Sequence, residues 1–191
     1  MTTAVVVGAG PNGLAAAIHL ARNGFDVQVL EAAETIGGGA RSGELTVPGV
    51  IHDYCSAAHP LGVGSPFWRK VDLGRHGLTW KWAEIDCGHP LDDGSAGVLH
   101  QSVEQTAAGM GSDGWRWRLA VGDLVTGFDD LGQDLLRPLL HVPRHLMRLA
   151  AFAPRALLPA TTVARWFRTE QARAAFGGAA AHMFTGLDRP L

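Results

Sequence analysis

Gly8, Gly10 and Gly13 follow Ala4-Val5-Val6-Val7 directly, at the spacing Gly-x-Gly-x-x-Gly, and open a helical pattern. That arrangement suits a turn that holds a phosphate. Gly8 permits the sharp exit from a strand, Gly10 lets a pyrophosphate approach bare backbone, and Gly13 lets the helix pack close to the strand. Pro11 is suited to a first helical turn, where an N–H has no intrahelical partner. The amides of Asn12 and Gly13 then lie at the positive end of the helix dipole. Glu31 stands 18 positions past Gly13, at the end of the next strand pattern. A carboxylate there accepts hydrogen bonds from both ribose hydroxyls of an adenosine and repels a 2′-phosphate. Ala32-Ala33 offer no arginine to reverse that preference, so the adenosine expected here belongs to FAD or NAD rather than NADP.

A second glycine-rich run, Gly37-Gly38-Gly39-Ala40-Arg41, follows Glu31 closely. Its glycines allow a second backbone approach to a long dinucleotide, and Arg41 adds a fork-shaped cation near phosphate. A simple NAD dehydrogenase does not need this second contact, so FAD is the expected cofactor. The candidate cofactor-binding residues are Gly8, Gly10, Asn12, Gly13, Glu31, Gly38 and Arg41. No residue is assigned a catalytic role, because hydride transfer to a bound flavin requires no obligatory protein acid or base. His141 and His145 have the i, i+4 spacing of a metal pair, but Pro143 lies between them and no HExxH glutamate accompanies them, so no metal is expected. His52, His59, His89 and His100 read as hydrogen-bonded structural residues. Ser56 and Cys55 have no base at a readable spacing. Trp80/Trp82 and Trp115/Trp117 read as core or helix-packing pairs.

The elements that must position these residues begin with Ala4–Val7, a β-branched run expected to be a buried parallel strand. Leu14, Ile18 and Ala21 share one helical face, and Asn23-Gly24 ends that helix. Phe25–Leu30 gives a second strand, completing a βαβ unit. Short strands are expected at 44–47 and 50–51 around Pro48-Gly49, and at 78–84. Asp92-Asp93-Gly94-Ser95 is a hairpin turn with a return strand at 96–100. Ser102 and Gln105 form a capping-box pattern that opens a helix. The remainder reads as mostly helical, with breaks at Pro138, Pro143, Pro154 and Pro159. The fold class expected is α/β: a Rossmann-type FAD-binding βαβ unit with an incomplete sheet and an attached, mostly helical part. The expected division is 1–100 and 101–191.

The chain has 191 residues, 47% of them hydrophobic, and a net charge of −2. Such a composition excludes a disordered, collagenous or coiled-coil chain, and the charge carries no nucleic-acid signature. The charge is unevenly placed. Residues 1–134 hold 8 basic and 16 acidic side chains, and residues 135–191 hold 8 basic and 2 acidic. The basic part suits a solvated helical face or, over 137–173, a peripheral membrane contact. Cys55 and Cys87 form no CxxC pair and read as free thiols in a reducing compartment. The apolar stretch 4–21 has no preceding Lys or Arg and is broken by Pro11-Asn12-Gly13, so it is not a signal peptide. A cytoplasmic location is expected.

The segment VVVGAGPNGLAAAIHLARNGFDVQVLEAAETIGGGARS resembles the N-terminal FAD-binding segment of the phytoene dehydrogenase-related flavoproteins. Within that group it is most similar to the pyridine nucleotide-disulphide oxidoreductase domain-containing proteins. ELTVPGVIHDYCSAAHPL, HPLDDGSAGVLHQ and WFRTEQARAAFGGAAAHMFTGLDRPL are also similar to that family. The resemblance implies an FAD-dependent oxidoreductase of the dehydrogenase or desaturase kind, whose flavin accepts a hydride from a small hydrophobic substrate. It also implies an FAD domain interrupted by a substrate domain, with Asp53–Pro60 near the flavin ring. Family members run to on the order of 500 residues, several domains' worth, so the chain is expected to be an N-terminal fragment. An NAD-dependent dehydrogenase and a non-catalytic dinucleotide-binding module are the alternatives.

Overall fold

A computed structural model of the chain describes residues 2–138, 140–183 and 185–189. It divides into two compact units, Met1–Thr79 and Trp80–Leu191. In the first, strand β1 (Thr3–Val7) leads into helix α1 (Pro11–Arg22), which returns to strand β2 (Asp26–Leu30). The strands pair in parallel, with Val5 opposite Gln28. Gly10 caps α1 and Pro11 occupies its first position, as the missing N–H of proline allows. At the other end Asn23 and Gly24 donate to the Leu20 and Ala21 carbonyls, with Gly24 at φ +84°. The parallel βαβ unit is thus of the α/β, Rossmann-like class.

The expectation that β1 is buried on both faces does not hold. Val6 packs beside Gly13 of α1, but Val5 and Val7 on the opposite face are 59% and 83% exposed. Strand residues alternate between faces, and among the described residues one face of this two-stranded sheet is uncovered.

A hairpin follows, β3 (Ser42–Glu44) against β4 (Ile51–Asp53). The strands stand nearer Arg41 than the expected 44–47 and 50–51. Two hydrogen bonds draw the pairing that way: Ser42 Oγ to Asp53 Oδ1 at 2.6 Å and Tyr54 N to Arg41 O at 2.9 Å. Two short helices, α2 (Pro60–Gly64) and α3 (Pro66–Val71), complete the unit. Each begins on a proline, and Ser65 accepts from the Trp68 amide at the start of α3.

The second unit opens with the hairpin β5 (Cys87–Pro90) and β6 (Ala96–Leu99). Asp93 Oδ1 accepts from both the amide and the hydroxyl of Ser95 and so closes the turn. The alternating stretch 78–84 is not a strand. Among the described residues it pairs with no strand, and β6 pairs with β5, Cys87 opposite Leu99. Six helices follow: α4 (Val103–Gly109), α5 (Gly114–Thr126), α6 (Phe128–Leu135), α7 (Leu146–Ala156), α8 (Ala160–Ala164) and α9 (Glu170–Ala181). Ser102 caps α4 through the Gln105 amide. Pro138, Pro143 and Pro159 lie between helices, but Pro154 sits in the last turn of α7 rather than breaking it.

Phe167 is fully buried and anchors the core, with the rings of Trp117, Trp166 and Phe176 each centred 5.8 Å away. Met110, Ala107, Ala120, Ala172 and Ala175 close around them. Trp115 is half exposed and meets Trp166 edge-on, so only one of that tryptophan pair is core. The β5–β6 hairpin packs on α9. A Cβ on Gly97 would meet the Gln171 carbonyl, and the His89 ring lies where a Gly178 side chain would stand. This packing puts the division between the compact units at Thr79–Trp80, ahead of the expected residue 100. Among the described residues, no helix is long and apolar enough to cross a membrane.

Candidate dinucleotide site

Gly8 takes φ +96°, in the left-handed region that L side chains avoid. Its amide donates to the Leu30 carbonyl at 2.7 Å, which ties the start of the turn to the end of β2. A Cβ on Gly13 would lie 2.0 Å from the Gly8 carbonyl oxygen. Only glycine allows α1 to start this close to the strand. Gly10 is different, since a Cβ there would meet only Gly38 Cα, at 3.7 Å. Its bareness is therefore not demanded by packing, and it leaves open space beside the first turn of α1. The amides of Asn12 and Gly13 belong to that turn, where N–H groups have no intrahelical acceptor.

The second glycine-rich loop lies against the first. Gly37 N donates to Ala9 O at 2.8 Å, and a Cβ on Gly38 would stand 2.9 Å from Gly10 Cα. Gly38 also adopts φ +55°. From its other side the loop is held by the segment after β4, with Ser56 N donating to Gly39 O at 2.9 Å. Arg41 Nε bonds Gly38 O at 2.9 Å, and its guanidinium lies over the Tyr54 ring at 5.2 Å. Nε being spent on the loop, the two terminal NH₂ groups carry the remaining donors of the fork.

Glu31 closes the site. Its Oε2 accepts from Ala9 N at 2.7 Å and its Oε1 from Ala33 N at 2.9 Å. The Ala33 amide, then that of Ala9, holds the carboxyl below the usual carboxylate range. A carboxylate offers about four acceptor positions, so two stay available for a ribose diol. The seven residues named from the sequence therefore lie on three segments that meet: the first glycine turn, the end of β2 and the second glycine loop. This arrangement fits a dinucleotide. The bare backbone and helix-terminal amides beside Gly10 could hold a pyrophosphate, and Glu31 could accept from a ribose.

The stacking of Arg41 on Tyr54 and the bond from Gly37 to Ala9 were not apparent from the sequence. Tyr54 is the only tyrosine in the chain, and its ring fills the space beside Gly43, where a Cβ would meet the phenol oxygen at 2.9 Å. A glycine two residues after Arg41 was the available signal. His52 bonds Thr46, His89 meets Cys87 Sγ, and His100 bonds Glu84 O and, through its amide, Thr106. His141 and His145 lie in the second unit and face Asp134.

Residues 6–72 match the NAD(P)-binding Rossmann-like domain family, the class that the βαβ unit and its glycine turn define. Over 195 residues the chain is 34% identical to hydroxyneurosporene desaturase of Cereibacter sphaeroides, covering 91% of this chain and 37% of that protein. It is 57% identical over 49 residues to the zeta-carotene-forming phytoene desaturase of Myxococcus xanthus, covering 26% and 9%. It is 40% identical over 76 residues to pyridine nucleotide-disulfide oxidoreductase domain-containing protein 2 of Rattus norvegicus, covering 39% and 13%. These matches are to two desaturases and to a pyridine nucleotide-disulfide oxidoreductase domain-containing protein and support a relation to the phytoene dehydrogenase-related oxidoreductases, and the chain spans just over a third of the length of hydroxyneurosporene desaturase.

Proposed function

We propose that the protein is an FAD-dependent oxidoreductase of the dehydrogenase or desaturase kind, acting on a small hydrophobic substrate. The observation that carries this reading is the joining of two glycine loops through Gly37–Ala9 and Gly38–Gly10, with Glu31 at the first loop and Arg41 at the second. A two-loop cradle suits a dinucleotide longer than one phosphate turn can hold. Bound FAD supplies a ring that accepts a hydride from a substrate C–H bond. The chain's own residues bind and orient the cofactor: helix-terminal amides and Arg41 at phosphate, Glu31 at ribose. The names of the desaturase relatives support a hydrophobic substrate. The free thiols of Cys55 and Cys87 suit a reducing, cytoplasmic compartment, and the basic stretch 137–173 suits peripheral contact with a membrane. A nucleic-acid partner is not part of this reading, given the net charge of −2.

The test is titration of the chain with FAD, FMN and NAD, followed by visible absorbance and calorimetry. FAD is expected to bind more tightly than either of the others. Gly10→Val is expected to weaken FAD binding at least about a hundredfold, the scale on which a well-placed group decides recognition. The melting temperature should hold, because a Cβ at Gly10 has room. Binding of NAD in preference to FAD would favour the NAD-dehydrogenase reading. Bound FAD that no hydrophobic hydride donor reduces would favour a non-catalytic dinucleotide module.

A further inference from the structure

One carboxylate on α6 holds the start of α7 at its base. Asp134 is buried, its side chain 1% exposed. Its Oδ1 accepts from Arg144 N at 2.9 Å and its Oδ2 from His145 N at 2.8 Å. The Arg144 amide leads in holding this carboxyl below the usual carboxylate range against its burial, with the His145 amide and the two imidazoles adding to it.

The two histidines meet acceptors at both ring nitrogens. His141 Nδ1 lies 2.7 Å from the Pro138 carbonyl, and its Nε2 lies 3.5 Å from Asp134 Oδ1. His145 Nδ1 lies 3.5 Å from Asp134 Oδ2, and its Nε2 lies 3.5 Å from Asp130 Oδ1. A neutral imidazole has one N–H, and carbonyls and carboxylates only accept. Each neutral ring would therefore aim a lone pair at an oxygen, and His141 Nε2 and His145 Nδ1 are buried without a hydrogen bond. The imidazolium form of each ring matches every one of these contacts. The other charges around the base are spoken for. Arg148 on α7 faces Asp130 at 3.4 Å, and Arg155 on α7 pairs with Asp123 on α5 at 2.8 Å.

What the base holds up is apolar and cationic. Leu140 is 99% exposed and Val142 88%, and Leu146 and Met147 at the start of α7 are also exposed. Arg137 and Arg144 are exposed beside them. No acidic residue occurs from 135 to 169. Protruding aliphatic side chains flanked by cations, with no anion to repel a headgroup, complement an anionic bilayer surface.

We propose that residues 140–147 dock on an anionic lipid surface and that protonation of His141 and His145 arms them. This rests on the membrane-contact reading above and adds the element and its control. With both rings protonated, the two cations neutralise Asp134 and Asp130, and the loop is held with Leu140 and Val142 outward. Loss of the protons leaves Asp134 and Asp130 unneutralised behind the lipid-facing loop and sets ring lone pairs against carboxylates, so the base loosens.

The experiment is flotation of the chain with vesicles of phosphatidylcholine alone or mixed equally with phosphatidylglycerol, at about pH 6 and about pH 8. Binding is expected only to the anionic vesicles and at least about tenfold tighter at the lower pH, given the worth of each basic charge near such a surface. In the same pH step, amide exchange at Arg144 and His145, corrected for its intrinsic rate, should accelerate. His141→Gln with His145→Gln should bind equally at both pH values. Leu140→Asp with Val142→Asp should lose binding at both while melting as the parent does. Anionic binding that ignores pH in the parent chain would overturn the proton control and leave the membrane contact standing. No anionic binding at either pH would overturn both.

Discussion

In Met1–Thr79 the buried apolar side chains are small, Ala9, Ala17 and Val71, and the tightest approaches are between backbone atoms at Gly8 and Gly13 and at Gly10 and Gly38. In Trp80–Leu191 the centre is an aromatic cluster about Phe167, with a buried carboxylate beside it. Asp113 there accepts from the Arg168 and Thr169 amides, the Thr169 hydroxyl and Arg116, and so pins the start of α9 to the start of α5. The contrast separates two ways of using a sequence. Side chains that fill space generate stability, because each buried aromatic removes a large apolar area from water. Glycines that bring backbones together generate little burial but leave amides and open space where a ligand can sit. Ligand binding is then itself a source of stability for the unit that binds. Added dinucleotide should raise the melting of the first unit and leave that of the second unchanged.

The largest effect that would sharpen this contrast lies in the second unit. Phe167→Ala should cost about 3–5 kcal/mol, the range for truncating a buried phenylalanine. Asp113→Ala should cost about 3–5 kcal/mol as well, because it strands a buried Arg116. Both are read from the denaturant midpoint followed by tryptophan fluorescence, and neither should change dinucleotide affinity. A parallel loss of affinity would show that the site depends on the aromatic core. The acid limb of stability should carry the same signature. Burial raises the Asp113 carboxyl, but the Thr169 amide, Arg116 and the Arg168 amide outweigh it and hold it below the usual range. Its folded value being depressed, its contribution is complete above the ordinary carboxylate range and is lost as pH falls through the folded value. The acid unfolding midpoint of Asp113→Asn should therefore depend less steeply on pH.

A smaller effect, of about 1–3 kcal/mol for overpacking, is expected from Gly13→Ala in the first unit. Its Cβ would stand 2.0 Å from the Gly8 carbonyl, so α1 must back away from β1. Dinucleotide binding should fall together with the melting of the first unit, while the second unit melts as before. This separates Gly13, where the fold requires glycine, from Gly10, where only the ligand does. If Gly13→Ala bound normally, the close start of α1 would be irrelevant to the site.

These glycines were legible because a turn of this kind leaves few residue types at three fixed positions, all within one short stretch of chain. The same holds for Pro11 at the first helical position and for Ser102 as a cap, both decided by neighbours one to three residues away. What was not legible depends on partners far along the chain. Alternation over 78–84 resembled a strand, but a strand exists only where it pairs with another, and among the described residues that stretch pairs with none. The run 4–7 reads the same whether one face is covered or two, so the exposure of Val5 and Val7 could not be seen. His141 and His145 carried a spacing that invited a metal reading, and their shared partner Asp134 lies seven and eleven residues upstream, on α6. Nor does any local pattern join Gly37 to Ala9 or Arg41 to Tyr54, which are tertiary contacts.

The smallest effect should come from Glu31→Gln. The amide keeps the size and shape of the carboxylate, but it has one acceptor oxygen in place of two. It can keep the bond from Ala9 N or the bond from Ala33 N, and it has little left for a ribose diol. The turn around Gly8 is also tied to β2 through Gly8 N and Leu30 O, so the fold should survive with nearly unchanged melting. Affinity for an adenine dinucleotide should drop by about tenfold, the worth of a hydrogen bond to a charged group, whereas FMN, which has no adenosine, should bind as before. The pH dependence gives the second readout. The Ala33 and Ala9 amides hold the Glu31 carboxyl below its ordinary value. Its contribution is therefore present above the ordinary carboxylate range and lost as pH falls through the depressed value. Binding by the parent chain should weaken only on acidification below the ordinary carboxylate range, and that limb should flatten in the glutamine variant. Equal losses for FMN and for the dinucleotide would place Glu31 away from the adenosine and leave it as a strut between the glycine turn and the end of β2.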